Sequence, residues 1–308
     1  MKRWLRLQDL SEFVAFVAQK SGIAKHSLIE KDLTIHKILK ELCDSRYFAE
    51  NYLFKGGSCL VKCYFGYYRF SVDLDFTWLD QKAWVDLGKY KLRRRLLEEI
   101  TSMGSLLEKA AQNTALDFKN EPENAKYFEF GGGCKMVTCK LWKNSEFTKI
   151  QVNFADEILF QHKKATVKTL LDNVQLSKDD AAYFKEELSS YGQFTMQAYD
   201  EKEILCEKVR AVLTRRTQKL RDFYDLFMLE KSGFKIEELK EEAVAKIKAC
   251  LNYQRYRANL ERNRKSLDLS PVLEEPFERS LFVVQPPKDF DFFLKRAPET
   301  FADIINRL

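Results

Sequence analysis

Apolar residues recur at helical spacing near the start of the chain and at alternating spacing in its middle. The helical pattern predicts amphipathic helices over residues 8–20, 27–43 and 89–115. Alternation predicts strands in "SVDLDFTWL", "AKYFEF", "CKMVTCKLW" and "EFTKIQVNF", and "YLFKGG" predicts a short strand that ends in a glycine turn. After about residue 178 helical spacing dominates, which predicts helices near 178–189, 200–216, 219–230 and 235–252.

This order of elements predicts two parts. Residues 1–175 would hold N-terminal helices and a mixed sheet, and residues 176–308 a helical domain with a proline-containing tail. Five of the six prolines lie at or after Pro271. We therefore expect the tail to wrap the surface before a short terminal helix.

Composition excludes several classes of protein. Hydrophobic residues make up 45% and charged residues 32% of the 308 residues, which is typical of a soluble globular protein. No apolar segment approaches the ~20 residues of a membrane span. The basic start resembles a signal peptide, but Gln8, Asp9 and Glu12 interrupt its apolar run. We expect a cytoplasmic protein that does not enter a membrane.

Net charge and cysteines add less. The net charge of +6 is compatible with a polyanionic partner but does not identify one. Seven cysteines include no C-x-x-C pair, and the three histidines are scattered. Reduced, buried thiols are favoured over a zinc site.

One stretch, "FKGGSCLVKCYFGYYRFSVDLDFTW", carries candidate chemistry. A strand, then Gly56-Gly57-Ser58, then a helix would present free backbone N–H groups to a phosphate. The alternative is that Ser58 only caps the helix.

The next strand carries two carboxylates. Asp73 and Asp75 lie two residues apart, so they face the same side of a strand, opposite Leu74. Two like charges together are costly unless a cation lies between them, and Mg²⁺ accepts a few carboxylates plus substrate phosphates. The alternative is an edge strand with a solvated acidic face.

The later helical region contributes Lys208, Asp222 and Asp225. Lys208 falls within the apolar arc of its helix, so it either snorkels outward or points into a cleft. Asp222 and Asp225 share a face of the hydrophobic segment "RDFYDLFML" and need partners there. For Asp225 we predict a structural salt bridge to an arginine, namely Arg210, Arg215 or Arg221.

Three segments in order resemble the AbiEii/AbiGii toxin family of the polymerase-β-like nucleotidyltransferase superfamily. "FKGGSCLVKCY" and "RFSVDLDFT" match its Lys-Gly-Gly-Ser/Thr and Arg-Phe-Ser-x-Asp-x-Asp patterns. "IEKDLTIHKIL" is similar to its upstream Glu-Lys-Asp helix, at Glu30, Lys31 and Asp32. "EKEILCEKV" with "RDFYDLF" is similar to its later Glu-Lys helix and Arg-Asp-x-Tyr-Asp-Leu signature.

The resemblance implies an α+β fold: a polymerase-β-like nucleotidyltransferase core, with a mixed sheet and flanking helices, plus a C-terminal helical region. It implies Mg²⁺- or Mn²⁺-dependent transfer of a nucleotide from NTP to an acceptor, either an RNA such as the 3′ end of a tRNA or a protein. A cognate antitoxin would be a separate partner. The implied catalytic residues are Asp73, Asp75, Lys208 and Asp222, of which Asp73 and Asp75 would bind the metal. The implied nucleotide-binding residues are Lys55, Gly56, Gly57, Ser58, Arg69, Ser71 and Lys208.

One departure leaves alternatives open. Related enzymes commonly carry a third carboxylate on a later strand, where this chain has Gln151. A degenerate member that binds nucleotide or a partner without turnover is therefore the second interpretation. A small-molecule nucleotidyltransferase, which lacks the Arg-Asp-x-Tyr-Asp-Leu helix, is the third. Candidate basic residues for receiving RNA are Arg93–Arg95, Arg215, Arg216, Arg255, Arg257, Arg262, Arg264 and Lys265. The alternative, which is the more common one for such runs, is that they are solvated helix faces.

Overall fold

The computed structural model describes residues 7–265, 269, 273 and 275–308. Within them, strands form one mixed sheet in the order β3-β4-β5-β2-β1-β7-β6. The strands are β1 Tyr52–Lys55, β2 Asp73–Trp78, β3 Phe128–Gly131, β4 Met136–Lys143, β5 Glu146–Asn153, β6 Lys163–Val167 and β7 Phe194–Ala198. A mixed sheet with flanking helices confirms the predicted fold class.

Helices flank this sheet and dominate the later part of the chain. Single helical turns at Gln81–Trp84 and Ile236–Glu238 lie between them. The first five helices are α1 Leu7–Ser21, α2 His26–Cys43, α3 Arg46–Asn51, α4 Gly56–Cys59, which continues as a wider helix over Leu60–Phe65, and α5 Lys89–Asn113. They are followed by α6 Lys178–Tyr183, α7 Lys185–Ser190, α8 Glu201–Thr214, α9 Leu220–Lys231, α10 Lys240–Cys250, α11 Gln254–Lys265, α12 Pro276–Ser280 and α13 Lys288–Asn306.

Strand β2 lies at the centre of the sheet. It runs antiparallel to β1 and parallel to β5, so that Asp75 is paired with Lys55 on one side and Gln151 on the other. Leu74 and Phe76 are fully buried on the opposite face. The alternation of β2 therefore separates a polar face from the main hydrophobic core.

The core has two parts. The larger packs α2, α3 and α5 against one face of the sheet and continues between α8, α9, α10 and α13. The smaller joins α1 and α2 to residues 170–191 and to Leu281 near the C-terminus. Among the described residues, no helix is long and apolar enough to cross a membrane.

The largest departure from the predicted elements is β7. The helices predicted near 178–189 and 200–216 leave a gap in which no strand was predicted, yet Phe194–Ala198 lies in that gap and pairs with β1 and β6 inside the sheet. Five alternating residues give a weak pattern, and pairing with a strand distant in sequence decides their conformation. The division at residues 175 and 176 stays a prediction, and the sheet takes one strand from its second part.

The C-terminal tail also differs. The terminal helix α13 is not short: it has 19 residues and keeps Pro298 in its interior. Burial of Phe290, Phe293 and Phe301 on one face holds it against the helical core. The predicted helix 178–189 is divided into α6 and α7 at Phe184. Pro271 lies outside the described residues.

Candidate active site

A cleft of about 390 Å³ opens on the polar face of β2. It is bounded by the end of β1, the start of α4, strands β2 and β5, and helices α8 to α11. Of the described residues that line it, eleven are basic and six are acidic. This excess of positive charge suits a polyanionic ligand.

Asp73 and Asp75 meet in this cleft, as their spacing predicts. Burial raises the pKa of Asp75, and the neighbouring Asp73 charge raises it further. Gly56 makes room for this carboxylate: it has a φ of +75°, and a Cβ atom there would lie 2.5 Å from Asp75 Oδ2. A buried carboxylate with a second carboxylate beside it forms a site that a cation would stabilise.

Gly57 and Ser58 are used for packing. A Cβ atom on Gly57 would overlap the guanidinium of Arg69. The buried Ser58 hydroxyl bonds to the Asp73 carbonyl oxygen, and it lies 2.7 Å from Ser71 Oγ. Helix α4 begins at Gly56 with Lys55 as its N-cap, so the alternative that Ser58 caps the helix is wrong. Ser58 instead fastens α4 to β2.

Arg69 is a buried structural partner of Asp225. Its Nε and Nη2 donate to the two oxygens of Asp225 at 2.7 and 2.6 Å, and the Tyr68 hydroxyl donates at 2.6 Å. The predicted salt bridge of Asp225 to Arg210, Arg215 or Arg221 is wrong. The actual partner lies 156 residues away in the chain, and helix periodicity gives no signal for it.

Lys208 points inward, toward carboxylates. Its Nζ lies 2.7 Å from Asp222 Oδ1 and 2.5 Å from Asp225 Oδ2, and the side chain is largely buried. The snorkelling alternative is therefore wrong. Burial opposes ionisation of Asp222, but Arg215 and Lys208 outweigh it and hold the pKa of Asp222 far below its ordinary value.

Lys55 joins a second charged network. Its Nζ lies 2.9 Å from Asp156 Oδ2 and 3.3 Å from Glu207 Oε2. The buried Lys246 of α10 bonds the same two acids and Glu203. Burial lowers the pKa of Lys55, but Asp156 and Glu207 outweigh burial and raise it. This network fixes α8 and α10 to the end of β1.

A group of cations at the start of α9 was not singled out as a unit in the sequence. Arg215, Lys219 and Arg221 all line the cleft, and Arg221 Nη2 lies 4.0 Å from Asp73 Oδ2. Among the described residues Lys219 makes no ion pair. Burial lowers the pKa of Lys219, and Arg221 and Arg215 lower it further, so an anion beside Lys219 would favour its charged form. Arg215 pairs with Asp222, and Arg221 pairs with Glu278 at 2.8 Å. The run "RRTQKLRD" is the signal that marks it.

Gln151 occupies the position beside Asp75 where a third carboxylate was expected. The register pairs Asp75 with Gln151 and Asp73 with Lys149. The Gln151 amide lies 2.8 Å from Met136 Sδ. Asp156 also lines the cleft, but Lys55 and Lys246 engage it. The described residues contain no group of three or more acidic, histidine or cysteine side chains placed to hold a metal ion.

Other predicted positions lie outside the cleft. Asp32 is buried 2.7 Å from Lys62, while Glu30 pairs with Lys143 and Lys31 donates to a backbone carbonyl of β5. Arg93–Arg95 lie exposed on α5. The buried or half-buried cysteines are all free thiols within the described residues.

The chain matches a known family over most of its length. The family model described as nucleotidyl transferase AbiEii toxin, type IV toxin–antitoxin system, covers residues 37–307 and therefore the whole cleft. A search among curated proteins finds no match. The chain belongs to the AbiEii family of nucleotidyl transferase toxins from type IV toxin–antitoxin systems.

Proposed function

We propose that the protein transfers a nucleotide from a Mg²⁺- or Mn²⁺-bound NTP to an acceptor. One observation carries the proposal: the carboxylates of Asp73 and Asp75 share a cleft with Arg215, Arg221 and Lys219, and among the described residues Lys219 makes no ion pair. Nucleotidyl transfer needs both groups, because a metal must approach the phosphates while cations balance the remaining charge.

The residues present fit a divalent metal. Asp73 and Asp75 would hold it, since Mg²⁺ takes one or two carboxylates together with substrate phosphate oxygens and water. Burial and the Asp73 charge both raise the pKa of Asp75, so a cation bound by the pair would favour its ionised form. When bound, the ion would neutralise charge on the reacting phosphate.

The chain's own cations would hold the triphosphate. Lys219 and Arg221 reach the cleft beside Asp73, where the start of α9 adds the positive end of a helix dipole. Gly56 and Gly57 line the same cleft, where their backbone N–H groups would meet a phosphate. Lys208 would act together with Asp222, which orients its ammonium. Arg69 would act indirectly, as a positioning residue for Asp225 and Lys208.

The acceptor would be an RNA, such as the 3′ end of a tRNA, or a protein side chain, and a cognate antitoxin would oppose the toxin in the cytoplasm. The family supports the toxin–antitoxin setting. The excess of basic residues in the cleft favours RNA of the two acceptor classes.

The test measures transfer of labelled nucleotide by a variant that lacks the carboxylates of Asp73 and Asp75. Purified protein with Asp73→Asn and Asp75→Asn should lose transfer of labelled NTP to bulk tRNA by at least about 100-fold, because the metal site loses both charges. Asp179→Asn, on the exposed first turn of α6, is the control and should behave as the wild type. Full transfer by the double variant would remove both residues from the mechanism.

A second candidate is a member that binds nucleotide without turnover. Gln151 beside Asp75 favours it, because Gln151 is neutral where a third carboxylate was expected, and Lys149 beside Asp73 places a positive charge near the two carboxylates. Calorimetric binding of Mg²⁺-NTP by the wild type, with no labelled product on RNA or protein, would support this candidate over the first.

A further inference from the structure

We infer that Tyr253, Arg255 and Tyr256 form a stacking shelf for an unpaired nucleobase at one end of the cleft. All three residues line the cleft, and the proposed metal and triphosphate sites do not include them. The inference rests on the proposed function, because it assigns the base of a nucleotide or RNA substrate to this end.

The geometry of the three side chains suits a planar ligand. The Arg255 guanidinium lies 4.6 Å from the centre of the Tyr256 ring and 2.8 Å from its hydroxyl. The Tyr253 and Tyr256 rings are 6.0 Å apart at an interplanar angle of 87°. Tyr253 is 37% exposed, although large aromatic side chains are usually well covered. An aromatic face beside a guanidinium is the arrangement on which bases stack.

The shelf is held by its surroundings. Gly132 in the β3–β4 turn has a φ of +58°, and a Cβ atom there would lie 3.0 Å from the Tyr253 hydroxyl, so the turn passes close to this ring. Helix α11 is anchored to the end of α8, where the Asn263 amide donates to the carbonyls of Leu213 and Arg215 at 2.9 and 3.0 Å. A rigid aromatic surface loses little entropy when a base stacks on it.

Position along the cleft separates this shelf from the phosphate end. Arg221 approaches Asp73 at the first residue of β2. The β3–β4 turn instead adjoins Met136, the first residue of β4. Met136 pairs with Asn153 of β5, and Asn153 pairs with Thr77 of β2, so the turn lies level with Thr77. Four strand residues separate the two levels, about 13 Å. Phosphates at one end would leave a base free to reach the other.

Helix α11, which begins beside the shelf, is strongly basic. It carries Arg255, Arg257, Arg262, Arg264 and Lys265 against the single acid Glu261. A basic surface next to stacking aromatics is the combination that holds single-stranded nucleic acid. Two sources of the base remain to be separated by experiment: the NTP itself and the 3′-terminal nucleotide of an RNA.

The experiment compares probes with and without a base. Calorimetry measures Mg²⁺-NTP against inorganic triphosphate, and fluorescence anisotropy measures a short single-stranded RNA against the same RNA with an abasic 3′ nucleotide. Tyr253→Leu with Tyr256→Leu should weaken binding of one base-carrying probe by about 5- to 100-fold. Its baseless counterpart should bind as before. If Mg²⁺-NTP binds more weakly, the stacked base comes from the NTP. If the single-stranded RNA binds more weakly, the stacked base is its 3′-terminal nucleobase.

Controls separate stacking from folding. Tyr253→Phe keeps the ring and should retain wild-type affinity. Tyr183→Leu, on the exposed side of α6, should leave the binding of all four probes unchanged. Equal binding of all four probes by wild type and the double variant would overturn the shelf. A wild type that prefers base-carrying probes but transfers no label would overturn the proposed function and leave the shelf intact.

Discussion

Lys208 shows how one residue can serve stability and function together. Its ammonium lies between Asp222 and Asp225. Asp222 also pairs with Arg215, and Asp225 also pairs with Arg69. The five side chains carry three positive and two negative charges. The cluster therefore has a net charge of +1 beside the cleft, although each of its members is paired.

Replacing Lys208 by Met tests this balance. The variant keeps an apolar stem but removes the charge, so two buried carboxylates lose a shared partner. The free energy of unfolding should fall by about 3 kcal/mol, measured by urea titration. Adding Asp222→Asn should restore part of that loss. Lys248→Met on the exposed side of α10 is the control. A Lys208→Met protein as stable as the control would show that Arg69 and Arg215 neutralise both aspartates alone.

Helix α4 is seated against β2 through its two glycines, one facing Asp75 and the other Arg69. Gly57→Ala would push a methyl group into Arg69, which two hydrogen bonds to Asp225 hold in place. We expect a loss of about 1–3 kcal/mol of stability, seen as a lower melting temperature.

The matched control for Gly57→Ala is Gly88→Ala. Gly88 has a φ of −60°, and a Cβ atom there would meet nothing within 4 Å. Equal melting temperatures of the two variants would show that Arg69 can move aside. Gly57 would then be needed for ligand approach rather than for packing.

Elements with a strong local pattern could be predicted from the sequence. The alternation of β2 and the period of α5 and α8 locate them within a few residues, and the same alternation brings Asp73 and Asp75 together. Strand β7 could not be predicted, because its pairing with β1 and β6 makes it a strand. The ion pairs of Arg69 and Lys55 were missed for the same reason: their partners lie 156 and 101 residues away.

At the scale of the whole molecule, stability depends on a charge network that spans β1, α8 and α10. Burial and Asp156 oppose ionisation of Glu207, but Lys55, Arg210 and Lys246 outweigh them and lower its pKa from 4.5 to about 2. A carboxylate with a lowered pKa stabilises the fold above its ordinary pKa. That contribution is lost as the pH falls from about 4.5 to about 2.

The Glu207→Gln variant isolates this effect. Glu203 and Asp75 have raised pKa values, so their protonation in acid favours the folded state and partly masks Glu207 in the wild type. Urea titrations of both proteins should differ most at neutral pH, and the difference should shrink as the pH approaches about 2. A difference that stayed constant with pH would mean that Glu207 contributes packing and no charge.

The place of β7 next to β1 also bears on how the protein is made. The ribosome completes β1, the glycine turn and both carboxylates of β2 long before it reaches Phe194, and Lys208 and Asp225 come later still. Until then β1 has an open edge that invites non-native pairing. A growing chain thus holds half of a cleft, and the toxin has no complete site until synthesis is well past its midpoint.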